Sequence, residues 1–160
     1  MTEEQVKTAI QSAIKAVLDE KRPLNFSHVQ ERSIAHRLAL HMEPHFRREW
    51  DVDCEYDLND KMKKTLEGIA DCGNRKSDLI LPDIIVHHRS GKGRTHNLLV
   101  IEIKKDLGQD PCDRRKLELL TYQEGHYQYQ LGLYINVDGG NFTCTWYSNG
   151  QQLETIDQDD

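Results

Sequence analysis

The run Leu98-Leu99-Val100-Ile101-Glu102-Ile103-Lys104 constrains this chain more than any other stretch. It reads as a near-continuous strand buried on both faces, interrupted only by Glu102 and Lys104. Side chains alternate along a strand, so those two charges share one face. Upstream, Pro82-Asp83 opens a second apolar run, Ile84-Ile85-Val86, and Ser90-Gly91-Lys92-Gly93-Arg94 between the two has turn chemistry. A hairpin of residues 83–89 and 97–104 centred on Lys92-Gly93 sets Asp83 opposite Glu102. Like charges directly opposed destabilise a sheet unless something cationic sits between them. Two close carboxylates beside a lysine, at the edge of a hydrophobic sheet, are what a divalent cation site needs.

A third carboxylate joins them by helical geometry. Ser27, with Gln30 three residues on, forms a capping box and opens a helix bounded by Pro44. Ala35, Leu38, Ala39 and Met42 are its apolar face, and Glu31 lies on that face, pointing inward from the first turn. An inward glutamate wants a metal ion or a lysine as partner.

The remaining elements follow from periodicity. Val6, Ile10, Ala13, Ile14 and Val17 predict an N-terminal helix within residues 1–22. Trp50 to Tyr56 alternates and reads as a strand. Residues 57–77 are polar and lysine-rich, a loop with a helical turn around Met62–Ile69. Residues 79–88 and 97–103 are strands, and Asp110 caps a third helix with Pro111 at its first position and Leu117 and Leu120 inside. Tyr127, Tyr129, Leu131, Leu133, Ile135 and Val137 share one face of a long strand, after which Gly139-Gly140 and Asn149-Gly150 turn a β-meander. Asp157–Asp160 reads as a frayed acidic tail.

At 160 residues the chain suits one domain, 1–160. Nothing approaches the roughly 20 apolar residues of a membrane span. The acidic, helical start is unlike a secretion signal, and the four scattered cysteines suggest neither a disulfide scaffold nor a zinc ribbon. A soluble cytoplasmic protein with reduced thiols is expected. The net charge of −6 argues against a nucleic-acid partner, but its distribution does not. Residues 61–116 carry 13 Lys and Arg against 8 Asp and Glu, while residues 117–160 carry none against 7. Basic charge is therefore concentrated in the middle third, and on charge alone it reads equally as a phosphate-tracking face on an acidic protein or as a solvated patch with no partner.

With Pro82-Asp83, then Glu102-Ile103-Lys104 after eighteen intervening residues, and Glu31 on a preceding helix, the chain resembles the PD-(D/E)XK nuclease superfamily. The order helix, strand, strand, strand, helix, strand matches as well, over roughly Ser27 to Tyr147. It is especially similar to small bacterial members with an Asn-Leu-Leu-Val-Ile-Glu-Ile-Lys-Lys strand, here 97–105, and a Lys-Leu pair on the next helix, here Lys116-Leu117. The resemblance implies a restriction endonuclease-like α/β fold, a mixed central sheet flanked by helices, and Mg²⁺-dependent hydrolysis of DNA, with Mn²⁺ substituting. It implies Asp83 and Glu102 as metal ligands, joined by the carbonyl of Ile103 and by Glu31 directly or through water. Lys104 would orient the attacking water or stabilise developing charge. Lys116, or else Gln123, would reach the scissile phosphate from the third helix. Arg89, Lys92, Arg94, Arg114, Arg115 and Lys116 would contact nucleic acid around the site. The superfamily includes binding and regulatory members, so the alternatives are a non-catalytic nucleic-acid- or protein-binding module and a subunit of a homodimer or larger nuclease assembly.

Other groups carry less. His41 and His45 have i, i+4 spacing but no evident third ligand, so a surface pair is expected rather than zinc. Only one of His87 and His88 can face the Asp83 side. The Gly91-Lys92-Gly93 loop is a turn before it is a phosphate cradle. Tyr122, Tyr127, Tyr129 and Tyr134 read as core and sheet face rather than a base-stacking platform.

Overall fold

A computed structural model describes residues 1–21, 24–26, 28–56, 58–59, 62–63, 80–105 and 111–158. Its centre is a six-stranded mixed sheet of order β1-β4-β5-β6-β7-β8, formed by β1 (Asp51–Cys54), β4 (Ile84–His87), β5 (Asn97–Lys105), β6 (Leu131–Asp138), β7 (Asn141–Ser148) and β8 (Gln151–Gln158). Two short strands, β2 (Leu58–Asn59) and β3 (Met62–Lys63), pair only with each other. Met62 and Lys63 are thus strand rather than the start of a helical turn; the rest of that expected turn lies outside the described residues.

All sheet pairings are antiparallel except β5 with β6. A parallel pair needs a crossover, and α3 (Pro111–Thr121) supplies it. Helices α1 (Glu3–Leu18) and α2 (Glu31–Phe46) cover the opposite face, so the sheet is the middle of three layers. The larger core joins Val6, Ile10, Ile14, Leu38 and Met42 to Ile84, Leu99, Ile101, Leu133 and Trp146. The smaller joins Ile85 and Val100 to Leu117, Leu120, Tyr129, Tyr134 and Tyr147. Among the described residues no helix is long and apolar enough to cross a membrane.

Several boundaries depart from the sequence reading. α2 begins at Glu31, with Gln30 as N-cap and no capping side-chain bond; Ser27 lies outside the described residues. The helix also runs through Pro44 to Phe46. Proline removes the N–H that would bond the Leu40 carbonyl. Leu40 is 44% exposed, where water can serve that carbonyl, while Met42 and Phe46 on either side are buried and reward continuation. The first apolar run forms strand only over Ile84–His87, whereas β5 extends to Lys105. Tyr127 and Tyr129 precede β6 and belong to the smaller core, not to the face of Leu131 and Leu133. Gln128 has φ +55°, which breaks the alternation before the strand begins. The acidic tail is not frayed through Gln158: Asp157 pairs with Thr143 and Gln158 with Phe142. Among the described cysteines Cys112 is disulfide-bonded while Cys54 and Cys144 are free thiols, so the expectation of reduced cysteines does not hold at Cys112.

Candidate functional site

The register decides the site. Ile84 pairs with Ile101, Ile85 with Val100 and Val86 with Leu99, the hairpin expected from the sequence, until a bulge pairs His87 with Asn97. One step beyond Ile84, Asp83 leaves the strand and its side chain takes over the ladder. Its Oδ2 accepts the N–H of Ile103 at 2.7 Å. Burial pushes the Asp83 carboxyl up to about 6, against the pull of that N–H and of Lys116, with Asp113 and Glu31 adding like charge.

Glu102 faces the smaller core at 3% exposure. Burial holds its carboxyl well above the usual range, opposed by Lys116 and reinforced by the charges of Asp83 and Asp113. Lys116 on α3 sits 2.6 Å from Glu102 Oε2 and 2.8 Å from Asp113 Oδ1. Burial works against the lysine's charge, but the two carboxylates outweigh it and hold its pKa up. Glu102 Oε1 is buried with no hydrogen-bond partner. Three carboxylates, Asp83, Glu102 and Asp113, therefore influence one another around one buried ammonium.

Asp113 is the residue that sequence reasoning missed. Its signal was present: Asp113, Lys116, Leu117 and Leu120 lie on one stripe of α3, so two charges fall on a buried face. Lys116 was expected at a phosphate-contacting surface, yet it is 4% exposed.

Glu31 is brought to the same region, at the first position of α2 and half-buried. Its Oε1 accepts the N–H of Lys105 at 3.0 Å and lies 3.7 Å from Lys104 Nζ. Glu31, Asp83 and Lys105 line a cleft of about 570 Å³ together with Gln30, Arg32 and Glu55. Lys104 is thus placed beside Glu31 at the end of β5.

Among the described residues, several basic side chains of the middle third are engaged within the protein. Arg89 bonds Asp53 through two nitrogens and pairs with Asp51. Arg115 pairs with Glu118, Arg94 donates to Gln123 Oε1 at 2.9 Å, and Arg114 lies 5.6 Å over the Tyr134 ring. Lys92 is in the β4–β5 turn and exposed. Gln123 lies past the end of α3 and spends its amide on the carbonyls of Thr121 and Tyr129. His87 bonds Asp53 at 3.0 Å, His88 stacks on Trp50, and His41 bonds Glu20 at 2.8 Å. Tyr127, Tyr129 and Tyr134 are buried, as a core role requires, and Tyr122 is exposed.

Among the described residues no three His, Cys, Asp or Glu side chains are disposed to hold a metal ion together. Asp83 and Glu102 offer two carboxylates, and Mg²⁺ commonly binds through one or two while keeping several waters. The unpartnered Glu102 Oε1 is an acceptor of the hard-oxygen type such an ion takes, so the residues fit it. Comparison with known proteins finds no family model, no curated relative and no solved structure that matches the chain.

Proposed function

We propose that this chain is a metal-dependent nuclease of the restriction endonuclease-like type, which hydrolyses DNA phosphodiester bonds in the cytoplasm. The observations that carry the reading are the β4–β5 register, which ends at Ile84 against Ile101 with Asp83 one step beyond, the influence of the Asp83 charge on the Glu102 carboxyl, and the one Glu102 oxygen that is buried and unpartnered. The order of elements from α2 through β6, with its single parallel pair, supports it as well. Asp83, Glu102 and the Ile103 carbonyl would hold Mg²⁺ or Mn²⁺, with Glu31 at the margin. The bound ion supplies an acidified water and neutralises charge on the transferred phosphoryl group. Asp83 is fixed by its bond from Ile103, so its free oxygen is oriented before any ligand arrives. Lys104, beside Glu31 at the cleft, orients the attacking water or stabilises the developing charge.

The test is nicking and linearisation of supercoiled plasmid. Cleavage is expected with Mg²⁺ or Mn²⁺ and lost in chelator, and Ca²⁺ should not support turnover. The double variant Glu102→Ala, Lys104→Ala should be inactive; robust cleavage by it sinks the assignment. One observation favours a second reading, a binding module that keeps the fold without catalysis: Glu102 Oε2 is already held by Lys116. That reading gains if the wild type takes up metal and binds DNA but cleaves no DNA form.

A further inference from the structure

We propose that Lys116 is an exchangeable internal counterion: its ammonium holds Glu102 until a divalent cation takes that place, and Asp113 retains the lysine when it does. The inference rests on the cation reading of Asp83 and Glu102. Three observations carry it. The ammonium contacts two carboxylates at once, Glu102 Oε2 at 2.6 Å and Asp113 Oδ1 at 2.8 Å. All three residues are buried, at 4%, 3% and 7% exposure for Lys116, Glu102 and Asp113, so the contacts are made away from bulk water. Glu102 Oε1, the other half of the same carboxylate, has no partner.

A purely structural ion pair is expected to satisfy both oxygens, because an unmade hydrogen bond on a buried carboxylate is costly. Here the lysine covers one oxygen and leaves the other open. Losing Glu102 would ordinarily strand a buried ammonium, the most expensive way to break such a pair. Asp113 removes that penalty, since it lies on the lysine's own helix at i−3 and moves with it. Lysine suits the exchange better than arginine, as a compact charge on a flexible stem whose three donors can be redistributed. The geometry therefore joins a β5 carboxylate that can change partners to an α3 pair that stays intact whichever partner is chosen.

The experiment is calorimetric titration with MnCl₂ alone, without nucleic acid, on wild type, Lys116→Met, Lys116→Gln and Glu102→Gln. Lys116→Gln keeps a donor toward both carboxylates and guards against misfolding of the methionine variant; melting curves check both. Removing a competing positive charge from direct contact should tighten Mn²⁺ binding by roughly tenfold or more in either lysine variant. Glu102→Gln should abolish it. Asp113→Asn should weaken Mn²⁺ binding by a larger factor in wild type than in the Lys116→Met background, because only in wild type is there an ammonium to retain. Wild type binding Mn²⁺ as tightly as both lysine variants overturns the exchange, and equal Asp113→Asn factors overturn the retaining role. If wild type and lysine variants all fail to bind Mn²⁺, the underlying cation reading falls, and this inference with it.

Discussion

A carboxyl that replaces a backbone acceptor in a sheet ladder is held to the geometry of the ladder, and Asp83 is such a carboxyl through its bond from Ile103. Holding it there has a consequence that needs no substrate. The unfolded chain releases an aspartic proton near pH 4, whereas burial keeps the Asp83 proton in the folded chain to about 6. Between those values the folded state binds the more protons, so stability falls as pH rises through the window and stays lowered above it. Asp83→Asn can keep the acceptor for Ile103 while discarding the charge. It should stabilise the metal-free protein at pH 7.5 by on the order of 1 kcal/mol, and by nothing below about pH 4. Thermal melts of both proteins across pH in chelator measure this. An Asp83→Asn variant destabilised at pH 7.5 would make Asp83 a structural carboxylate whose charge the fold needs.

At the scale of elements, α3 brings Lys116 and Asp113 to Glu102, and its seat on the sheet is Gly132 of β6. A methyl at Gly132 would meet Thr121 Cγ2 at 2.9 Å and Tyr147 Cβ at 3.3 Å. Thr121 cannot easily turn its methyl away, because its hydroxyl donates to the Leu117 carbonyl and accepts the N–H of Gly150. Gly132→Ala should therefore cost about 2 kcal/mol in urea unfolding; an unchanged midpoint would mean the helix has room to shift. How much of this arrangement was legible follows from where the information is local. The β4–β5 register was readable because a turn and two apolar runs fix it together. The start of α3 was readable because Pro111 suits a first helical position. The Lys116–Glu102 bridge was not, because it joins a helix to a strand across a layer boundary. Charge clusters read along the chain cannot reveal which side chains are consumed by such long-range pairs, and Arg89, held by Asp53, is consumed in the same way.

For the whole molecule, the charge map looks different once those pairs are subtracted. The sequence concentrates basic residues between positions 61 and 116, yet among the described ones Arg89, Lys104, Arg115 and Lys116 pair with acidic neighbours within the fold. On a chain of net charge −6, non-specific phosphate attraction is weakened, and a bound divalent ion would be a concentrated local positive charge available to a nucleic acid. The three layers converge on that point: α2 contributes Glu31, the β4–β5 hairpin Asp83 and Glu102, and α3 Lys116 with Asp113. Whether an ion binds there decides the function. Crystals grown with Mn²⁺ and measured at an anomalous wavelength read this directly. The expected result is a single strong anomalous peak within ligand distance of both Asp83 and Glu102, with Lys116 moved off Glu102 and still on Asp113. Fully occupied Mn²⁺ elsewhere, with the Lys116–Glu102 bridge intact and no peak between the two carboxylates, would contradict it.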